Sequence, residues 1–293
     1  MMAGGSGVDA ILGDWGGSRL RLWRLQGGEV AARREAAGVL QTDDHAAVLR
    51  EALGEWTATR VVLCGMAGAR GALREVPYVA CPASPLAWRQ GAADFALAGF
   101  DLRIAAGLSL DRDGRPDVMR GEETQVFGAM ALDPALAVGR HAIVLPGTHS
   151  KWVHLESGRI ARFRTFMTGE LFALLAGSSL VRGGEPGGGA EAGFAEGLSR
   201  ASKRAALSAA LFEARAAQLV SGRTGAWARG FVSGLLIGSE IAEAAPDGPV
   251  LVIGAAELAG RYHEALAAFG VDAHRMDDEA CAIAGLRWLD DDR

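Results

Sequence analysis

Apolar runs and their spacing divide the chain into two similar successions of strands followed by helices. Residues 9–35 alternate as a three-strand meander broken by small-residue turns. His45 to Thr57 reads as a helix, with Ala46, Ala47, Leu49, Leu53 and Trp56 at helical spacing and Asp43 or Asp44 placed to cap it. Arg60 to Leu63 is a short buried strand, followed by the loop Gly65-Met-Ala-Gly-Ala-Arg70. Three prolines within 77–86 exclude a regular element there. Leu102 to Ala106 is another strand. Pro116 to Leu132 reads as helical from about Val118, with apolar Val118, Val126, Phe127 and Met130, and Pro134 marks its end. The second succession has a meander over 142–165, a helix beginning at Leu171–Leu175, and a stretch from Ser178 to Gly193 holding six glycines. Lys203 to Leu219 is a helix with Leu207, Ala210, Leu211, Ala214 and Leu219 on one side. Gly230 to Ala245 is another. Val250 to Ile253 is a buried strand, Glu257 to Phe269 a helix, Asp272 to Arg275 an edge strand and Glu279 to Leu289 the final helix.

The two meanders align without a gap and agree at six positions. Gly17-Ser-Arg-Leu-Arg-Leu-Trp-Arg-Leu-Gln-Gly-Gly-Glu-Val30 falls on Gly147-Thr-His-Ser-Lys-Trp-Val-His-Leu-Glu-Ser-Gly-Arg-Ile160, with Gly17 on Gly147, Ser18 on Thr148, Arg21 on Lys151 and Gly28 on Gly158. Two unrelated hairpins can look alike. A true duplication predicts two similar lobes, each presenting backbone N–H groups to phosphate. The expected fold class is therefore α/β, with two lobes of mixed sheet and flanking helices around a cleft: residues 1–135 and 136–293.

The formal net charge of −5 gives no electrostatic footprint for nucleic acid or an anionic membrane. No apolar run approaches the roughly 18 residues of a membrane span. Met1 to Gly7 lacks the basic and apolar regions of a secretion signal. Cys64, Cys81 and Cys281 form no C-x-x-C and read as reduced, buried thiols, so a cytoplasmic protein is expected, and a homodimer is compatible with it. Lys151 and Lys203 are the only lysines among 30 basic residues. A lysine in the second turn suits a phosphate oxygen as a compact point charge.

Five segments carry candidate chemistry. In Asp14-Trp-Gly-Gly-Ser18, Asp14 suits a Mg²⁺ held through water, or it is a turn residue bonded to its own backbone. Gly16 and Gly17 admit a phosphate close to the backbone, beside Ser18 and Arg21. In Pro146-Gly-Thr-His-Ser-Lys151, Gly147 opens the turn, Thr148 and Ser150 offer hydroxyls and Lys151 charge. His149 contacts phosphate or serves as a structural donor, and with His154 it lacks a third zinc ligand. Gly254 and Ala255, with Leu258, leave room for a flat ring, or simply pack a strand on a helix. In Arg120-Gly-Glu-Glu-Thr-Gln125, Glu122 or Glu123 accepts a hydroxyl proton, or both lie on a solvated face. Gly121 and Gly128 on this helix, and Ala280, Ala282, Ala284 and Gly285 on the last, give two small-residue faces for close helix crossing. The Gly-rich stretch 183–189 lacks the signature of a phosphate loop and reads as a surface loop or a lid.

This order of segments resembles that of the actin/hexokinase/Hsp70 superfamily of ATPases, whose lobes are RNase H-like. Longer blocks resemble one family within it. Asp14-Trp-Gly, Cys64-Gly-Met66, Arg74-Glu-Val-Pro-Tyr78, Pro116-Asp-Val-Met-Arg-Gly-Glu-Glu-Thr-Gln125, Leu145-Pro-Gly-Thr-His-Ser-Lys-Trp-Val153 and Phe163-Arg-Thr-Phe-Met-Thr-Gly-Glu-Leu-Phe172 look like the 2-dehydro-3-deoxygalactonokinases, over residues 10–290. The resemblance implies ATP- and Mg²⁺-dependent phosphorylation of the 6-hydroxyl of 2-dehydro-3-deoxy-D-galactonate in galactonate breakdown. It implies phosphate contacts at the two turns, adenosine at Gly254 to Leu258, a base at Glu122 or Glu123, and arginines on the acid's carboxylate, with Arg70, Arg74 and Arg164 as candidates. Two departures stand out: Gly17 replaces an expected threonine, and the 183–189 loop is unusually rich in glycine. A glucose-type kinase or a phosphatase of the same superfamily shares most of these features, and a nucleotide-driven filament subunit is the non-enzymatic alternative.

Overall fold

The computed structural model describes residues 10–56, 60–97, 99–182 and 187–291. Met1 to Gly7, Thr57 and residues 183–186 of the Gly-rich stretch, all of which carry expectations above, lie outside the described residues. In chain order the first elements are β1 (Ala10–Trp15), β2 (Arg19–Gln26), β3 (Glu29–Ala37), α1 (His45–Leu53), β4 (Arg60–Gly65), β5 (Val79–Ala80), α2 (Pro85–Gln90), β6 (Ala93–Leu97), β7 (Phe100–Ile104), β8 (Leu108–Arg112), β9 (Arg115–Met119) and α3 (Glu122–Leu132). There follow β10 (Arg140–Leu145), β11 (Ser150–Glu156), β12 (Arg159–Phe166), α4 (Thr168–Ala176), α5 (Ser179–Arg182), α6 (Ala190–Ser202), α7 (Leu207–Ser221), α8 (Gly225–Ala244), β13 (Val250–Gly254), α9 (Ala256–Ala268), β14 (Ala273–Asp277) and α10 (Asp278–Asp290).

The same sheet is built twice. The first runs β3-β2-β1-β4-β7-β6, with an antiparallel meander on one side of β1 and parallel β4 and β7 on the other. The second runs β12-β11-β10-β13-β14, with β13 and β14 parallel to β10. Both are RNase H-like sheets. The meander turns repeat as well: Gly27 and Gly28 in one, Ser157 and Gly158 in the other, all at positive φ. β1 is apolar on both faces because it is a central strand, and only Asp14 near its end is less than buried.

By contact the chain forms two compact units. One holds the described residues of Met1–Arg140 together with Leu155–Phe163 and Asp278–Arg293; the other holds His141–His154 and Arg164–Asp277. The last helix, expected with residues 136–293, therefore packs with the first unit. There it crosses α3 at backbone distance. A Cβ built on Gly128 would stand 1.8 Å from the Cys281 carbonyl oxygen, and one on Gly285 2.0 Å from that of Thr124. The buried face of α10 is Cys281, Ala282, Gly285, Leu286 and Leu289, while Ala280 is exposed.

The three prolines of 77–86 do not exclude regular structure: β5 and the start of α2 lie there, with Pro85 in the first turn of α2, where its missing N–H is no loss. α4 and α8 begin earlier than expected, at Thr168 and Gly225. Three further elements differ from the sequence expectation. Residues 115–119 are a strand, and α3 starts only at Glu122. The reason is a two-residue hairpin turn at Asp113-Gly114, both at positive φ, that joins β8 to β9. Gly121 consequently lies outside the helix rather than on one face with Gly128. The second difference is α6, which begins inside the glycine stretch. Its Gly193 and Gly197 face Gly230 and Gly234 of α8, where a Cβ would meet backbone carbonyl oxygens at 1.9–2.2 Å. The third is α7, which starts at Leu207, with Gln218 buried and Leu219 65% exposed. At about 100° per residue, position 218 returns to the face of Leu207 and position 219 overshoots it.

Candidate functional site

In the first unit, Asp14 at the end of β1 and Glu123 at the start of α3 both act on Cys64 at the end of β4. Asp14 accepts a hydrogen bond from Arg21 Nη2 at 2.7 Å, and Arg21 Nη1 reaches Asp278 on α10 at 2.9 Å. Burial works against the Arg21 charge, but Asp14 and then Asp278 outweigh it and hold the guanidinium protonated. Arg21 thus orients Asp14 instead of presenting itself to a phosphate. Cys64 Sγ lies 3.6 Å from the other Asp14 oxygen. Burial first, then Asp14 and Glu123, push its thiol pKa far up, so Cys64 is an inert neighbour. Cys281 is also buried, whereas Cys81 is only half-buried. Gly65 at φ +74° and Gly121 at φ +115° let two chain segments meet beside Asp14: a Cβ on Gly65 would stand 2.7 Å from the Trp15 carbonyl oxygen, and one on Gly121 3.3 Å from the Gly65 Cα.

The two candidate glutamates separate sharply. Glu123 is fully buried (0% exposed), accepting from the Gly121 amide at 2.7 Å and from Thr124 Oγ1 at 3.1 Å. Burial, reinforced by Glu122, lifts its pKa to about 8. Glu122 is half-buried and accepts from the Arg120 amide at 3.1 Å. The β1–β2 turn folds back on itself, with the Gly16 amide donating to the Arg19 carbonyl at 2.8 Å and the Gly17 carbonyl accepting from Leu40 at 3.0 Å; Ser18 is exposed. The Gly16 amide is therefore spent within the turn.

The arginines sort themselves by environment. Arg70 is 89% exposed at its side chain and pairs with Glu75 at 3.4 Å. Arg74 lies over the Phe95 ring. Arg164, in the second unit, pairs with Glu243 and lies over Phe166. Sequence reasoning did not single out Arg120. Its Nη2 donates to the Val76 carbonyl at 2.7 Å, its guanidinium stacks on Tyr78, and its Nε and Nη1 are buried without a hydrogen-bond partner. A buried cation with unmet donors calls for an explanation.

The second unit contains a cavity of about 430 Å³ at the carboxyl ends of β10 and β13. Gly147, Thr168 and Gly169 line one side, Ala255, Leu258 and Tyr262 another. Phe172 and Phe194 add ring surface, with Arg229 over the former and Arg261 over the latter. Ala255 and Leu258 of the segment expected to face a flat ring both line this cavity. Gly254 itself backs the wall, its added Cβ meeting Pro146 at 3.4 Å, so the two turns touch. Open space faces Gly147. The turn leans on the first turn of α4: the Glu170 amide donates to the Thr148 carbonyl at 2.9 Å, and a Cβ on Gly169 would stand 2.3 Å from the Gly147 carbonyl oxygen. Thr148 and His149 are exposed, and His149 Nε2 meets Glu170 at 2.6 Å. Ser150 and Lys151 are not at the surface. Ser150 is buried against the Tyr262 hydroxyl at 2.8 Å, and Lys151, 5% exposed, donates to Thr165 at 3.0 Å. Among the described residues no three His, Cys, Asp or Glu side chains gather as a metal cage, and no helix is long and apolar enough to cross a membrane. Asp14 fits a hydrated cation, which needs one well-placed carboxylate rather than a cage.

Paired RNase H-like sheets, one with a cavity where its parallel strands end, define an actin-like ATPase fold, the frame of many phosphotransferases. Within it the chain belongs to the 2-keto-3-deoxy-galactonokinase family, whose description matches residues 14–289. It is 39% identical over 292 residues to the "Probable 2-dehydro-3-deoxygalactonokinase DgoK1" of Rhizobium meliloti (strain 1021), covering 93% of this chain and 94% of that protein. It is 36% identical over 287 residues to the 2-dehydro-3-deoxygalactonokinase of Escherichia coli (strain K12), covering 94% and 95%. A crystal structure from Sinorhizobium meliloti carrying the same family name superposes with a TM-score of 0.87 at 36% identity, over 96% of this chain and 97% of that one.

Proposed function

We propose that this chain is an ATP-dependent kinase that phosphorylates the 6-hydroxyl of 2-dehydro-3-deoxy-D-galactonate in the cytoplasm, as a step of galactonate catabolism. Family membership supports the reaction. The observation that carries it is the second-unit cavity, whose rim joins the Gly147 turn to the Ala255–Leu258 turn. Its apolar and ring-lined walls suit a nucleoside, and the adjacent turn suits the phosphates. Gly147, Thr148 and His149 are the phosphate contacts of this turn, with Ser150 and Lys151 holding its shape from beneath. In the first unit, the exposed Ser18 and the backbone of Gly17 serve the outer phosphates, and Asp14, fixed by Arg21, orients hydrated Mg²⁺.

Glu122, rather than Glu123, takes the proton of the acceptor hydroxyl. Both oxygens of Glu123 are engaged inside the protein, and a carboxyl of pKa about 8 is mostly protonated at neutral pH. Bound Mg²⁺ supplies charge neutralisation on the transferring phosphoryl group; the protein's own part is positioning and proton removal. Within the first unit, Arg120, with its unmet donors, joins Arg70 and Arg74 as a partner for the acid's carboxylate. The test is ADP release from ATP with galactonate- and gluconate-derived 2-keto-3-deoxy acids, glucose, or no acceptor. Turnover only with a keto acid is expected. Turnover independent of every acceptor overturns the kinase reading in favour of a phosphatase, and a preference for glucose overturns the substrate class.

A further inference from the structure

The inner wall of the second-unit cavity rests on a carboxylate that does not line it. Glu240, on α8, is 2% exposed. Its Oε1 accepts from Trp152 Nε1 at 2.8 Å, and its Oε2 accepts from the Tyr262 hydroxyl at 2.9 Å and from Thr168 Oγ1. Tyr262 in turn meets Ser150 Oγ at 2.8 Å. The partners come from three of the segments that shape the site. Ser150 and Trp152 follow directly on the Thr148–His149 turn, Thr168 opens the helix on which that turn leans, and Tyr262 lies on the helix that begins at Ala256. Thr168 and Tyr262 are themselves walls of the cavity.

We infer that Glu240 is a positioning residue for the nucleotide, holding the phosphate turn, the start of α4 and the α9 wall in one geometry around the cavity. The inference rests on the kinase reading above. Because Tyr262 donates to Glu240, its oxygen is left to accept from Ser150, so the hydroxyl protons run in one direction: Ser150 to Tyr262 to Glu240. Three donors converge on one acceptor-only group, which is the chemistry of an ionised carboxylate. Burial raises the Glu240 pKa, opposed by the bonds from Thr168, Trp152 and Tyr262. A buried charge of this kind is a poor source of stability and a good source of unique geometry. An amide cannot replace it. A glutamine accepting from Thr168 and Tyr262 turns its own N–H groups toward the Trp152 N–H, donor against donor.

The experiment compares wild type, Glu240→Gln and Tyr262→Phe as full-length proteins, by ADP equilibrium dialysis and by KM for ATP and for the keto acid. Tyr262→Phe keeps the ring and removes only the relay hydroxyl, so it decides the matter even where Glu240→Gln fails to fold. The expected result is a rise on the order of 10-fold in the ADP Kd and the ATP KM for either variant, with the keto-acid KM within about 2-fold of wild type. Unchanged ADP binding in a folded variant overturns the positioning role, as does a parallel rise in both KM values, which would mark general loosening. If wild type itself fails to bind ADP, the nucleotide reading fails first and the positioning role falls with it.

Discussion

Glu123 offers a measurement that separates its burial from any catalytic duty. The side chain is fully enclosed, and burial with Glu122 beside it lifts its pKa from 4.5 to about 8. Between these values the unfolded chain has released the proton and the folded chain still holds it. The contribution of Glu123 to stability must then fall as pH rises, by about 1.4 kcal/mol per unit. It is undiminished below pH 4.5 and levels off above about 8. At pH 7 the accumulated cost is about 3 kcal/mol, from the 2.5 units between 4.5 and 7. Glu123→Gln removes the titration while keeping the local bonds available, since its carbonyl can accept from Gly121 and its amide can donate to Thr124 Oγ1. The variant should therefore gain on wild type as pH increases. Urea unfolding of both proteins at several values between pH 5 and pH 8 measures the difference, expected to widen by about 1.4 kcal/mol per unit. A difference that stays constant with pH would refute the reasoning. A variant that loses ground as pH rises would mean that Glu123 is ionised in the fold.

Glu122→Gln should lower kcat on the order of 10²–10⁴-fold with little change in either KM, read from steady-state kinetics; the same loss in Glu123→Gln alone would reverse the assignment. Asp14→Asn should raise the Mg²⁺ concentration needed for half-maximal rate and leave ADP binding in the second-unit cavity within about 2-fold, because the carboxylate acts on the cation and not on the nucleoside. Gly285→Ala should destabilise by about 1–3 kcal/mol or prevent folding, since its methyl group would stand 2.0 Å from the Thr124 carbonyl oxygen; a melting curve unchanged from wild type would contradict the helix packing.

Much of this architecture was legible because it is written in local periodicity and in duplication. The meanders, the strand before Gly254, the capped start of α1 and the final helix follow from patterns contained within a dozen residues or so. What escaped was written elsewhere. Asp113-Gly114 specifies a hairpin, yet the apolar residues after it suggested a helix. The glycines of α6 resembled loop residues because their purpose, contact with α8, belongs to a segment far along the chain. The candidate site shows the same division. The turns around Ser18 and Thr148, and the strand–turn–helix at Gly254 whose Ala255 and Leu258 line the cavity, were readable as local structure. The sorting of polar residues into buried and exposed was not: Ser150, Lys151, Arg21 and Glu123 are polar residues whose partners are distant in sequence. Glu240, Thr168 and Tyr262 gave no local signal either, since their meaning lies in one shared hydrogen-bond network.

The return of Asp278–Asp290 to α3 has a consequence for how the molecule is made. During synthesis the first 140 residues leave the ribosome carrying an α3 whose glycine-notched flank has nothing to cover it. The covering helix, α10, arrives only after the whole second unit has been translated. The nearly contiguous second unit can fold from what has already emerged, while the first waits, and Arg21 meets Asp278 only in that last stage. The half that begins first is the half that is finished last.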